Sequence, residues 1–157
     1  MQFKTPQQQL EFRQLQVNNR NLAAIIASLN FQTLTNLHRQ ICVTEVFRNE
    51  GDNRKLYARP SSPHIKKRTT AHTVWSAVDV RSHDFNSHEQ QRIIAFLKQF
   101  DKYNTWGYMV DSKTVLLHAE GTHGLHFHIQ FTGHLPSLLF RWDENDDRHM
   151  PQFTRTA

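Results

Sequence analysis

Seven residues near the C-terminal end of the chain, LHFHIQF at 125–131, alternate strictly between apolar and polar side chains. A period of two predicts a β-strand, because successive side chains of a strand point to opposite faces of the sheet. One face would carry the apolar residues, namely Leu125, Phe127, Ile129 and Phe131. The other face would carry the polar residues, namely His126, His128 and Gln130. The strand therefore has one face for a core and one face with two histidines.

Helical and strand patterns divide the rest of the chain. Helical periodicity predicts a weak helix over 6–18, a helix over 21–40 with a break near Asn30, and a helix that follows Ser87 as its N-cap. Alternation and β-branched residues predict four more strands, at 41–47, 76–82, 105–111 and 114–120. This order indicates an α+β fold, with N-terminal helices packed on a small, mainly antiparallel sheet.

Length and charge limit the class of protein. The 157 residues fit one domain, which we place at 20–142, between a polar segment at 1–19 and a charged tail at 143–157. A net charge of +5 favours an anionic partner, such as nucleic acid, a membrane surface or an anionic cell-wall polymer. No apolar run is long enough to span a bilayer, and the N-terminus lacks the apolar core of a secretory signal. We therefore expect a protein that is cytoplasmic at synthesis, with any release by another route. The single cysteine, Cys42, is expected to be buried.

Histidine is the unusual residue in the composition. The chain has 11 histidines, where average usage would give roughly three or four. His126 and His128 would lie one pleat apart on the same face of their strand, so both can meet a single ion or substrate. An ordinary solvent-facing strand is the simpler interpretation of that pair alone.

A second segment, TAHTVWSAVDVR at 70–81, strengthens the metal interpretation. It places His72 seven positions before Asp79, which lies in an apolar stretch. A lone carboxylate there is costly to bury unless it is paired or bound to a metal. Imidazole and carboxylate are both good zinc ligands, and catalytic zinc takes three protein ligands and a water. His72, Asp79 and one histidine of the later pair make such a set. The structural alternative is that Asp79 pairs with Arg81 or with a helix N-terminus.

The segment 70–81 resembles the SxHxxGxAxD motif of the zinc D-Ala-D-Ala carboxypeptidases. That family includes peptidoglycan-cutting phage endolysins and, more distantly, the hedgehog signalling domain. Three residues match the motif, namely His72, Ala77 and Asp79. Thr70 stands for the serine of the motif, and Trp75 stands where the family usually has glycine. The likeness covers roughly residues 20–132 in order and implies a hedgehog/DD-peptidase-like fold.

The resemblance implies one Zn²⁺ ion held by His72, Asp79 and a histidine of the last strand. Both His126 and His128 qualify as that third ligand. We favour His128, because several relatives end in an HxH pair whose second histidine binds the metal. His126 would then lie beside the zinc as a proton donor or hydrogen-bond partner.

The resemblance also implies two further catalytic residues. Arg48, at the end of the strand predicted at 41–47, would stabilise the oxyanion together with the zinc. The general base of the family is an Asp or Glu, often three residues before the zinc histidine, and this chain has no carboxylate there. Glu120 is the nearest acidic residue, and a histidine is the alternative base.

The expected function is therefore that of a zinc metallopeptidase, a hydrolase of peptidoglycan stem peptides in cell-wall degradation. It would be a D,D- or L,D-type carboxypeptidase or endopeptidase, as in phage endolysins. One alternative is a non-catalytic, zinc-stabilised binding module of the same fold. Another is a single-strand DNA nuclease, since HFH fits the histidine–hydrophobe–histidine pattern of such enzymes. A nuclease of that kind needs a nucleophilic tyrosine, and none of the 3 tyrosines follows the histidine strand. We therefore expect a peptidoglycan peptide as partner, and no nucleic acid.

Overall fold

A computed structural model of the chain describes residues 1–49, 51–52, 70–105, 113–119 and 124–136. These residues form an α+β fold with three helices and a five-stranded mixed sheet. The helices are α1 (Pro6–Asn18), α2 (Arg20–Leu37) and α3 (Ser87–Lys98). The strands are β1 (Gln2–Phe3), β2 (Cys42–Glu45), β3 (Ala77–Arg81), β4 (Val115–His118) and β5 (His126–Gln130). Short 3₁₀ turns span His72–Val74 and Asp101–Tyr103.

The sheet brings three separate strands together at its polar face. Its strand order is β1-β2-β3-β5-β4, with β1 parallel to β2 and every other pair antiparallel. The register sets Glu45 opposite Asp79, Asp79 opposite His128, and His118 opposite His126. Directly opposed side chains of neighbouring strands share a face. Carboxylates and imidazoles therefore form a row from β2 through β3 to β5, and His118 of β4 lies in the neighbouring row, opposite His126.

The core lies on the other face of the sheet and is built largely by α2. Four apolar residues of α2 are at most 1% exposed, namely Leu22, Ile25, Ile26 and Leu29. They join Phe127 and Ile129 of β5 in one hydrophobic cluster, to which α1 adds Phe12 and Leu15. The N-terminal segment thus packs into the same core as the sheet. Among the described residues, no helix combines the length and apolar character needed to cross a membrane.

Two details of the predicted helices are wrong. The break expected near Asn30 does not occur, since α2 runs without interruption from Arg20 to Leu37. Asn30 is tolerated inside the helix because its side chain accepts a hydrogen bond from the backbone N–H of Ile41 at 3.3 Å. The N-cap of α3 is Asn86 rather than Ser87, and Asn86 forms a reciprocal capping box with Glu89.

Four of the predicted strands coincide with β2, β3, β4 and β5, each slightly shorter than its predicted range. Leu125 does not face the core, because it precedes β5 and is 48% exposed. Cys42 is buried, as predicted. The strand expected at 105–111 lies outside the described residues from 106 onward, and so does the tail at 143–157.

Candidate metal centre

His72 reaches the sheet from a short turn immediately before β3. The turn ends at Trp75, whose backbone is left-handed, with φ 58° and ψ 30°. Glycine adopts this conformation without strain, which gives a physical reason for a glycine at the equivalent position of the motif. Here the Trp75 ring stacks on Phe47, with ring centroids 4.4 Å apart. That contact helps to offset the cost of a left-handed tryptophan.

Asp79 is the centre of the polar cluster and is almost completely buried, with 2% of its surface exposed. Its Oδ1 lies 2.9 Å from Nδ1 of His128 and 3.2 Å from Nε2 of His72. The same two imidazole nitrogens lie 3.3 Å from each other. The second carboxylate oxygen, Oδ2, lies 3.4 Å from Nε2 of His126. One buried carboxylate thus meets three imidazoles.

Backbone carbonyls fix the orientation of two of these rings. Nδ1–H of His72 donates to the carbonyl of Val46 at 3.3 Å, and Nδ1–H of His126 donates to the carbonyl of Gly124 at 2.7 Å. A carbonyl oxygen can only accept, so in the neutral rings Nε2 carries the lone pair. In both rings that lone pair faces an oxygen of Asp79. At His72 two facing acceptors would repel each other, so a proton or a metal cation between Nε2 and Oδ1 of Asp79 stabilises the contact.

The pKa values of the cluster agree with this need for positive charge. Burial alone would lower the pKa of His72, but the neighbouring Asp79 carboxylate outweighs it and the pKa is raised above its usual value. Burial alone would raise the pKa of Asp79, but His72 and His128 bring it well below its usual value. The field that attracts a proton to His72 also attracts a metal cation.

The geometry of His72, Asp79 and His128 fits a metal ion. Their ligand atoms lie within 4.8 Å of one another. Ligand atoms at 2.0–2.2 Å from a tetrahedral zinc lie about 3.3–3.6 Å apart. The separations from Nε2 of His72 are close to this, at 3.2 and 3.3 Å, and Oδ1 of Asp79 lies nearer to Nδ1 of His128, at 2.9 Å. The hydrogen bond from His72 to Val46 is the kind of outer contact that orients a metal-binding imidazole. This buried cluster can therefore hold a metal ion.

Arg48 and Glu45 flank the cluster on the side of β2. Arg48 is 5% exposed, and its Nε–H donates to Oε1 of Glu45 at 2.9 Å, while a second guanidinium N–H donates to Oε2. Oε2 of Glu45 also lies 3.9 Å from Nε2 of His72. Arg48 is therefore held next to the cluster through a shared carboxylate. The sequence analysis did not identify Glu45, whose position opposite Asp79 depends on a strand register that no local pattern encodes.

The remaining predicted site residues are His126 and Glu120. His126 contacts Asp79 beside the ligand set. The ring of His118, which was not predicted as a site residue, packs against the ring of His126, with ring centroids 4.9 Å apart. The alternative partner of Asp79, Arg81, instead lies 3.8 Å from a carboxylate oxygen of Asp84. Glu120 lies outside the described residues, so its role as base stays a prediction.

Comparisons with known proteins do not assign the chain to a family. Protein-family models, curated proteins and solved structures were all compared with it, and none matches. The likeness to the zinc carboxypeptidases therefore rests on the motif at 70–81. The part of the chain that carries this motif is also the part that supplies His72 and Asp79 to the cluster.

Proposed function

We propose that this chain is a zinc-dependent peptidase that hydrolyses an amide bond in peptidoglycan stem peptides. The observation that carries the proposal is the meeting of His72, Asp79 and His128, whose ligand atoms lie 2.9–3.3 Å apart. The resemblance of the motif at 70–81, with the HxH strand, predicts these three residues as ligands. Residues from two distant segments converge on one point with the donor types that zinc prefers.

Within the described residues the set offers nitrogen and oxygen donors from three side chains, which suits a catalytic zinc with its fourth position taken by water. When bound, zinc acts as a Lewis acid and lowers the pKa of a water molecule from about 15.7 towards about 7. Asp79 contributes the negative charge of the set, and His72 and His128 contribute neutral nitrogens. The carbonyl of Val46 keeps Nε2 of His72 directed at the ion.

His126 is suited to carry a proton in this reaction. Its Nδ1–H is committed to the carbonyl of Gly124, so Nε2 is the nitrogen that can accept a proton and return it to a leaving amine. That nitrogen lies 3.4 Å from Asp79, next to the ligand set. Glu120 is the other candidate base, and the two are distinguished by substitution. Glu120→Gln should retain zinc and lose most activity if the carboxylate is the base, and His126→Ala should then cost less.

Arg48 supplies positive charge for the oxyanion of the transition state, in a position fixed by Glu45. Removing one such donor typically lowers kcat by roughly 10²–10³. We expect Arg48→Ala to show a loss in that range while zinc stays bound, and Arg48→Lys to recover only part of it, because lysine lacks the planar fork. A raised KM with unchanged kcat would instead make Arg48 a clamp for a substrate carboxylate.

Digestion of purified peptidoglycan tests the proposal directly. Zinc-loaded protein should release new amino groups, and the masses of the soluble fragments should identify the bond. Asp79→Asn should abolish the release, and His83→Ala is the matched control, since the His83 side chain is 74% exposed. Stoichiometric zinc without new amines would contradict the peptidase and support the binding module. A covalent tyrosine–DNA product from single-stranded DNA would support the nuclease.

A further inference from the structure

A second group of histidines lies beside the first metal centre and is not part of the motif at 70–81. His118, His126 and His128 have ligand atoms that all lie within 4.8 Å of one another. His126 is 6% exposed, and His118 and His128 are partly buried. Three imidazoles this close and this enclosed are more than a set of solvated surface histidines.

The strand register explains why these rings meet. His118 of β4 is directly opposite His126 of β5, and His128 follows two residues later on the same face. The ring of His118 lies with its centroid 4.9 Å from that of His126 and 5.5 Å from that of His128. Because backbone pairing sets these positions, the group is held by the sheet rather than by a loop.

The donor atom of His126 is also oriented. The hydrogen bond from Nδ1–H of His126 to Gly124 leaves Nε2 as its lone-pair nitrogen, as in metal-binding histidines with a carbonyl partner. That nitrogen faces Oδ2 of Asp79 at 3.4 Å. The Asp79 carboxylate thus presents Oδ1 to His72 and His128, and Oδ2 to His126. Its negative charge lies between the two groups.

We propose that His118, His126 and His128 form a second binding position for a divalent transition-metal ion. A set of imidazoles without a carboxylate of its own prefers Zn²⁺, Cu²⁺ or Ni²⁺ over Mg²⁺ or Ca²⁺. His128 belongs to both groups, so binding both ions at once requires its ring to bridge them as an imidazolate, with the N–H proton released to solvent. Two cations this close also repel each other. The second ion therefore binds more weakly than the first, and Asp79 reduces the repulsion between them.

The test is a titration of metal-free protein with Co²⁺, monitored by visible absorption, and a second titration with Zn²⁺, monitored by calorimetry. Wild-type protein should bind two equivalents in two steps, the second weaker. His118→Ala and the more conservative His118→Gln should each lose the weaker step and keep the tighter one. His72→Ala should lose the tighter step and retain one that depends on His118. The exposed His83→Ala variant should keep both steps, which controls for binding at surface histidines.

Saturation of the wild-type protein at one equivalent would overturn the inference, and so would a second step that survives both His118 substitutions. The inference does not rest on the proposed peptidase, and no activity is measured. A tight step lost in His72→Ala, with no second step, leaves the proposed function standing and removes the second position. A tight step that survives His72→Ala and disappears in His118→Ala would support the three-histidine position and remove the ligand set on which the peptidase depends.

Discussion

Phe127 and Ile129 on one face of β5 are completely buried in the hydrophobic cluster, whereas His126 and His128 on the other face surround a buried carboxylate. The two faces alternate along five residues, but they affect the free energy of folding in opposite ways. The apolar face stabilises the fold through burial alone. The polar face takes Asp79 out of water, which is costly until protons or a metal ion compensate its charge. Stability and metal binding should therefore respond separately to substitutions on the two faces.

The largest effect should come from the apolar face. Phe127→Ala removes a fully buried ring, and such a change typically lowers the free energy of unfolding by about 3–5 kcal/mol. Urea denaturation of the metal-free protein measures this loss. The zinc affinity of the variant, measured under conditions in which it is folded, should stay close to that of the wild type. A large loss of affinity in the folded variant would mean that the two faces are not independent.

The second-largest effect should be the loss of stabilisation by zinc when the polar face is changed. Zinc at about 100 times its Kd should stabilise the wild-type protein by about 2.7 kcal/mol, because it binds only the folded state. Asp79→Asn keeps the shape of the side chain and removes its charge, so this increment should largely disappear. Thermal unfolding with and without zinc measures it, with His83→Ala as the unaffected control. An increment of wild-type size in Asp79→Asn would remove Asp79 from the ligand set.

The pH dependence of stability should differ between the metal-free and zinc-bound proteins. The pKa of Asp79 is lowered by folding, so its contribution is present above the usual value of 3.8 and is lost as pH falls through the folded pKa. The pKa of His72 is raised, so its contribution is present below 6.5 and is lost as pH rises through the folded pKa. Metal-free protein should therefore be most stable at pH values between these two.

Bound zinc should reverse the loss of stability that the metal-free protein shows as the pH rises above 6.5. Its ligands must be deprotonated, so its affinity rises with pH over the range in which His72 loses its proton. Urea denaturation across this range, with a chelator or with zinc, compares the two states. Parallel curves would contradict the coupling of His72 to both the proton and the metal. Asp79→Asn should flatten the metal-free curve.

The smallest effect should be that of Ile129→Val on the apolar face. Removal of one buried methylene from such a position typically costs about 0.5–1.5 kcal/mol. Metal stoichiometry and affinity should be unchanged, as measured by the same zinc titration. A change in stoichiometry would show that the packing of β5 against the core sets the position of His128.

Local patterns predicted β5, and together they predicted that His72, Asp79 and a histidine of β5 could meet. The choice of His128 over His126 as a ligand came from the resemblance to the zinc carboxypeptidases and stays a prediction. The alternation at 125–131 predicts which face carries His126 and His128, and the cost of burying Asp79 predicts that it has partners. Features set by tertiary contacts were not predictable in this way. The sequence predicts a helix break at Asn30, but its side chain accepts a hydrogen bond from the backbone N–H of Ile41 and the helix continues. Glu45 and His118 enter the site through cross-strand register, which the sequence of either strand alone does not contain.

The position of β5 between β3 and β4 affects the order in which the protein can assemble. β5 follows β4 along the chain and pairs with β4 on one side and with β3 on the other. β4 is therefore joined to the rest of the sheet only through β5. His72 and His128 are 56 residues apart, so their encounter carries the loop-closure entropy that slows pairings between distant segments. In a chain in which β5 has not yet paired with β3, only His72 and Asp79 of the proposed ligands would be close enough to bind an ion. Binding of an ion by the full proposed set would therefore require that β5 has already paired with β3.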